Sequence, residues 1–173
     1  MNMKRIVLLL AFFATTMCYT YAQKFALIDM EYILGNISSY ETANEQLDVM
    51  SKKWQGEVDK SQQEIQNMYK TYQADLAFLS ADQKTKREEA IVAKEKALQE
   101  LKRKYFGAEG ELFKKREALI RPIQDEIYEA IKEISEARGY QLVLDRASAS
   151  SVIFASPTID ISNEVLAKLG YSK

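Results

Sequence analysis

The segment LDVMSKKWQGEVDKSQQEIQNMYKTYQADLAFLSADQ, residues 47–83, decides the fold. Its apolar residues fall at Leu47, Met50, Trp54, Val58, Ile65, Met68, Tyr72, Leu76 and Leu79, in steps of three and four, with Ser61 filling the one gap. Glutamate, lysine, glutamine and aspartate occupy the positions between. This is a narrow helical seam of the coiled-coil kind, not the wider apolar stripe of a globular helix. Ser80-Ala81-Asp82-Gln83 then fits a capping box, so one helix ends near Leu79 and another begins near Ala81.

The second helix repeats the seam at Ile91, Leu98, Leu101, Tyr105, Ala108 and Leu112, with Lys94 and Lys115 in two further seam slots, where their stems can lie along apolar surface. No proline interrupts the run from Tyr40 until Pro122, which is expected to kink or weaken the helix near Ala118. A seam repeating every 3.5 residues or so predicts a left-handed coil between two antiparallel helices. A helix of about 40 residues spans roughly 60 Å at 1.5 Å per residue.

Working outward, Phe25-Ala26-Leu27-Ile28-Asp29-Met30 reads as a buried strand, followed by one helical turn over Glu31–Leu34, a left-handed exit at Gly35-Asn36, and a cap at Ser38 or Ser39. Beyond Pro122 the apolar density rises at Ile123, Ile127, Ala130, Ile131 and Ile134, as suits packing on a sheet. Arg138-Gly139 reads as a helix stop. Residues 140–145 are a strand, Arg146 to Ser150 a turn, and Ser151 to Ala155 a third strand paired with the second as a hairpin. Ser162 caps a last short helix, Asn163 to Leu169, ended by Gly170. The fold class is α+β: a small β body from residues 23–39 and 122–173, and an antiparallel helical arm from 40–121. The expected body core is Phe25, Leu27, Leu142, Val143, Leu144 and Ile153. So small a core, with open strand edges, favours oligomerisation through the body.

Residues 1–22 read as a leader: Lys4 and Arg5, an apolar run from Ile6 to Phe13, and a cleavage site at Thr20-Tyr21-Ala22. Lipidation at Cys18 is a second reading, against which Met17 stands. The chain has no histidine and one cysteine, and cleavage after Ala22 removes that cysteine. The commonest general base, the commonest transition-metal ligand and thiol chemistry are then all missing, which argues against an enzyme and against a cofactor. The formal charge of −1 becomes −3 once Lys4 and Arg5 are lost, with no dominant basic surface for nucleic acid. Asp29, Asp145 and Asp160 close strands or precede helices, and are read as capping residues, not metal ligands.

Tyr69, Phe78, Phe106 and Phe113 fall one step off the seam. They are the candidate binding residues, with seam packing at the flank as the alternative for each. Gly56 lies 24 residues before Ser80, and Gly107 and Gly110 lie 27 and 30 after it, so the three glycines sit near one level of the arm as a soft waist; close helix approach is the other account of them.

The chain resembles the Skp (OmpH-like) periplasmic chaperones. The resemblance is carried by the leader followed by FALIDM, by the long charged helical pair, by RPIQDEIYEAIKEISEARGYQLVLD at 121–145 and by IDISNEVLAKLG at 159–170. It implies a homotrimer whose bodies form a shared β hub. The three arms would hang from it as tentacles and hold unfolded outer-membrane proteins in a cavity, without ATP. A fixed-partner structural or adaptor coiled coil of the envelope is the alternative. The best-known members are strongly basic, and this chain is not, so lipopolysaccharide or membrane-surface binding is not carried over. Some positive character survives between Lys70 and Lys104, where nine basic residues face six acidic ones.

Overall fold

The computed structural model describes residues 23–149 and 152–171; the leader read over 1–22 lies outside the described residues. Strand β1 (Lys24–Ile28) leads into helix α1 (Met30–Gly35) and then into helix α2 (Ser38–Asp75). Helix α3 (Ala81–Phe106), helix α4 (Glu111–Arg138), strand β2 (Tyr140–Asp145), a 3-10 turn (Pro157–Ile159) and helix α5 (Ser162–Lys168) complete the chain. Among the described residues no helix is long and apolar enough to cross a membrane.

The turn between α2 and α3 follows from local chemistry. Helix α2 ends four residues earlier than its pattern predicts, and Leu76 is exposed. Phe78 N donates to the Asp75 carbonyl at 2.8 Å, closing a turn before Ser80. The capping box is complete: Gln83 N donates to Ser80 Oγ, and Ser80 N donates to Gln83 Oε1.

The expected single second helix is two. Helix α3 stops at Gly107 and α4 starts after Gly110, whereas α4 runs uninterrupted through Pro122. The proline removes one hydrogen bond at the Ala118 level, where the backbone is already at the exposed surface. Gly107 and Gly110, each costing about 1 kcal/mol against alanine inside a helix, instead take extended backbone at the C-cap of α3 and the N-cap of α4.

The body departs from the sequence reading in its sheet. Strands β1 and β2 pair in parallel, with Phe25 beside Leu142, Leu27 beside Leu144, and a register shift between Lys24 and Phe25. Parallel pairing needs a long crossover, and the whole helical region supplies it. The third strand and its hairpin do not form: residues 152–156 carry no strand, and the chain returns to the far edge of β1. There Leu27 and Asp160 form an isolated parallel bridge, and Ile161 N donates to Leu27 O at 2.8 Å.

One face of this sheet is covered. Ala26, Ile28 and Val143 pack with Ile33, Ile37, Ile123, Ile127, Ala130, Ile134, Val165 and Leu166, and Ile33, Ile127 and Val165 are sealed from solvent. Burying each of those three contributes about 1.5–3 kcal/mol. The cluster reaches into the base of the arm through Ala43, Leu47 and Ile120. Gly139 takes the left-handed conformation at φ 71°, ending α4 as expected. Two expected caps do not form. Ile37 and Ile161 hold the cap positions of α2 and α5 without side-chain bonds, and the Ser162 hydroxyl donates to Asp160 instead. Asn36 exits α1 at φ −102°, so no left-handed residue is needed there.

Candidate binding surfaces

Helix α2 lies antiparallel to α3 and then to the start of α4, and the pair is joined by two kinds of contact. A buried apolar cluster of Val58, Ile65, Leu98 and Tyr105, with Trp54 and Leu101 against it, is separate from the body cluster. The Trp54 and Tyr105 rings stack at 5.0 Å, and Phe106 meets Tyr105 edge-on at 6.3 Å. The gap between the two clusters falls at the glycine break. Polar rungs then cross between the helices: Tyr105 Oη donates to Glu57 at 2.5 Å, Tyr69 Oη to Glu95 at 3.1 Å, and Tyr72 Oη to Glu88. Lys94 pairs with Glu64 at 2.7 Å and Arg87 with Asp75 at 2.8 Å. Hydrogen bonding to the facing glutamates holds all three phenols above their ordinary value of 10.0, so they remain donors throughout the neutral range.

The four candidate residues are all exposed, but not alike. Phe78 stands at the tip, 88 % exposed. Phe106 and Phe113 flank the glycine break on either side, partly covered. Tyr69 is tied by its hydroxyl to Glu95, so it offers a ring face while also fastening the arm. Sequence reasoning missed Val49 and Val92, which are also exposed on α2 and α3; the available signal was an apolar side chain off the seam in a charged helix. Of the three glycines, Gly56 sits within α2 with open space around it, while Gly107 and Gly110 bound the break itself.

The second surface is the uncovered face of the sheet. Phe25, Leu142 and Leu144 share it with Leu27, and all except Leu27 are exposed. Ile153, at 100 % exposure, and Phe154 lie on the segment that follows. Of the expected core, then, Leu27 is buried and Val143 partly so, whereas Phe25, Leu142, Leu144 and Ile153 are not core residues of a single chain. Phe25, Leu142 and Leu144 lie on the face of the sheet that this chain leaves uncovered, and Ile153 lies outside the two strands.

The three aspartates meet at the end of the sheet, where they form a clasp. Asp29 accepts Tyr32 N–H and pairs with Arg146 at 2.8 Å; Arg146 also reaches Asp160 at 3.9 Å. Buried Ser162 accepts Asp29 N–H at 2.8 Å and donates to Asp160 at 2.6 Å. Asp145 accepts the N–H groups of Met30 and Ala147. Among the described residues no group of acidic residues is arranged to hold a metal ion. The hydrogen bond from Arg146 holds the Asp29 carboxyl below its ordinary 3.8. Burial pushes Asp145 up, but the hydrogen bonds from Met30, Ser148 and Ala147 outweigh it, and the net shift is also downward. Both groups therefore stabilise the fold fully above about pH 4, and that contribution disappears as pH falls through their lowered native values. Acid titration followed by circular dichroism is expected to show this loss. Arg146→Met is expected to shrink the Asp29 share, leaving the part due to the Tyr32 N–H, and so flatten the profile; an unchanged profile in that variant would remove the clasp from the account.

The comparisons with known proteins agree with this architecture. The family profile described as outer membrane protein (OmpH-like) matches residues 24–169. Among solved structures, a candidate outer membrane chaperone (OmpH-like) from Caulobacter crescentus CB15 has a similar fold, with a TM-score of 0.66 and 17 % identity, over 86 % of this chain and 84 % of that one. Curated proteins give no match.

Proposed function

The chain belongs to the OmpH-like family of outer membrane proteins, and from that premise we propose that it is a chaperone of the holdase type, which keeps unfolded outer-membrane proteins from aggregating without ATP. The observation that carries this reading is the arm. Two long helices, held together by polar rungs and one small apolar cluster, leave Tyr69, Phe78, Val92, Phe106 and Phe113 facing solvent. Apolar side chains spaced along a charged, soluble rod suit weak, repeated and unselective contact with an unfolded chain.

The arm (40–121) grips and the body (23–39 and 122–173) assembles. Phe25, Leu142 and Leu144, with Ile153 and Phe154, supply the apolar surface for a homotrimer whose arms enclose a cavity. The leader at residues 1–22 directs export to the periplasm. The fold asks for no catalytic residue and no cofactor in this reading.

The test is light scattering from an unfolded outer-membrane barrel diluted out of denaturant. A holdase suppresses scattering near one trimer per client; an envelope adaptor with fixed partners leaves it unchanged. Raising salt from low to physiological is expected to weaken suppression only modestly, because the net charge is small and apolar contact supplies most of the affinity. A collapse of activity over that range would point to an electrostatic grip by the lysine-rich distal arm.

A further inference from the structure

We propose that Gln23 is a modification site, where the mature chain closes its own N-terminus as a pyroglutamate. The proposal rests on the reading of residues 1–22 as a cleaved leader, not on the holdase reading. Cleavage after Thr20-Tyr21-Ala22 makes Gln23 the first residue. The next glutamine in the chain is Gln46, so cleavage at any other bond of this region leaves no glutamine at the end.

The chemistry is internal to one residue. The α-amine attacks the side-chain carbonyl carbon, Cδ, and a C–N bond forms. The bond from Cδ to Nε2 breaks, and ammonia leaves with the proton that the amine gives up. A five-membered lactam remains, with no redox step and no co-reactant. The nucleophile is the neutral amine. An α-amino group has an ordinary pKa of about 7.7–8.0, so an appreciable share of it is neutral in neutral solution. Lys24, the next residue, places a like charge beside it and favours the neutral form further. Gln23 is exposed, so solvent takes up the ammonia.

The ring protects a strand that has no spare tail. Strand β1 starts at Lys24, directly after Gln23. Lys24 stands beside Tyr140, and its Nζ donates to the Arg138 carbonyl at 3.2 Å. Ala26, Leu27 and Ile28 follow, and all three are buried. Chain ends are where proteolysis concentrates. An aminopeptidase working inward from Gln23 reaches the core once Lys24 and Phe25 are gone. A lactam offers it no free amine. The ring also removes an ammonium close to Phe25, at the margin of the uncovered sheet face, where burying a charge is costly.

The test uses the full chain, exported from a bacterial host on its own leader and weighed intact, both fresh and after storage in neutral buffer. The expected mass is that of residues 23–173 less one ammonia, with N-terminal sequencing blocked until pyroglutamyl aminopeptidase is added. Gln23→Asn is expected to keep its ammonia, because its ring would be four-membered. It is also expected to lose N-terminal residues to a general aminopeptidase that leaves the wild type intact. A wild type that begins at Gln23 and keeps its ammonia after storage would overturn the modification and leave the leader standing. A chain that begins elsewhere, or is lipidated at Cys18, would overturn both. Equal trimming of the two proteins, or equal resistance, would overturn the protective role. Suppression of barrel aggregation, measured on the same samples, separates this proposal from the holdase: its absence in both proteins removes the holdase and leaves the mass result untouched.

Discussion

Leu144→Asp is expected to convert the proposed homotrimer into monomers while the chain keeps its helical content. Leu144 lies on the uncovered face of the sheet beside Leu27, in line with Leu142 and Phe25, and is 40 % exposed in the single chain. An aspartate there is solvated in a monomer and costs little. Packed against a second copy it becomes a buried charge without a partner, a penalty of several kcal/mol that no small interface absorbs. Stable interfaces bury about 800 Å² per partner, so a face this narrow cannot lose its centre. Sedimentation velocity reads the outcome directly, and aggregation suppression should fall with it, because a lone arm encloses nothing. Ile127→Asp is the contrast: Ile127 is sealed from solvent at the middle of the body cluster, and its substitution is expected to unfold the body outright. A Leu144→Asp protein that remains an oligomer would place the interface elsewhere.

The residues that were legible in the sequence are those whose structure is set within a few positions. The Ser80–Gln83 box and the left-handed Gly139 need only their own neighbours, and the seam residues Val58, Ile65, Ile91, Leu98 and Tyr105 follow from period alone. The sheet was not legible, because its partners are set over more than a hundred residues. Val152-Ile153-Phe154 has the composition of a strand, but the edge it would occupy on β2 stays open. Chain direction after Arg146, pinned by Asp29, carries residues 160 and 161 to β1 instead. The apolar strand segments read as buried, whereas in the single chain Phe25, Leu142 and Leu144 stay exposed on one face. The tyrosine–glutamate rungs were hidden for a similar reason. Tyr69 finds Glu95, 26 positions away, only once the register of two helices is fixed.

The three glycines, read from sequence as one waist, are expected to respond to alanine with opposite signs. At Gly56 a Cβ would meet nothing within 4 Å, so Gly56→Ala should stabilise α2 by about 1 kcal/mol. At Gly107 the same atom would lie 2.4 Å from the Arg103 carbonyl oxygen, and at Gly110 it would lie 2.9 Å from Tyr105 O and Gly107 N. These contacts are with backbone, which cannot swing aside as a side chain does. Gly107→Ala and Gly110→Ala should therefore destabilise the break, by about 1–3 kcal/mol each as for other overpacked sites, or drive it toward continuous helix. We propose that this break, lying where the body cluster ends and the arm cluster begins, is where the arm bends to fit clients of different size. Only α2 crosses that level unbroken, and Gly56, its weakest residue, lies within a turn of the stacked Trp54. Spin labels at Ala81 report the tip-to-tip distances in the assembly. Gly56→Ala alone should narrow their distribution with a gain in melting temperature, whereas Gly107→Ala should shift its mean with a loss. Distributions identical to the wild type in both variants would leave the glycines as packing residues and place arm motion, if any, at the body.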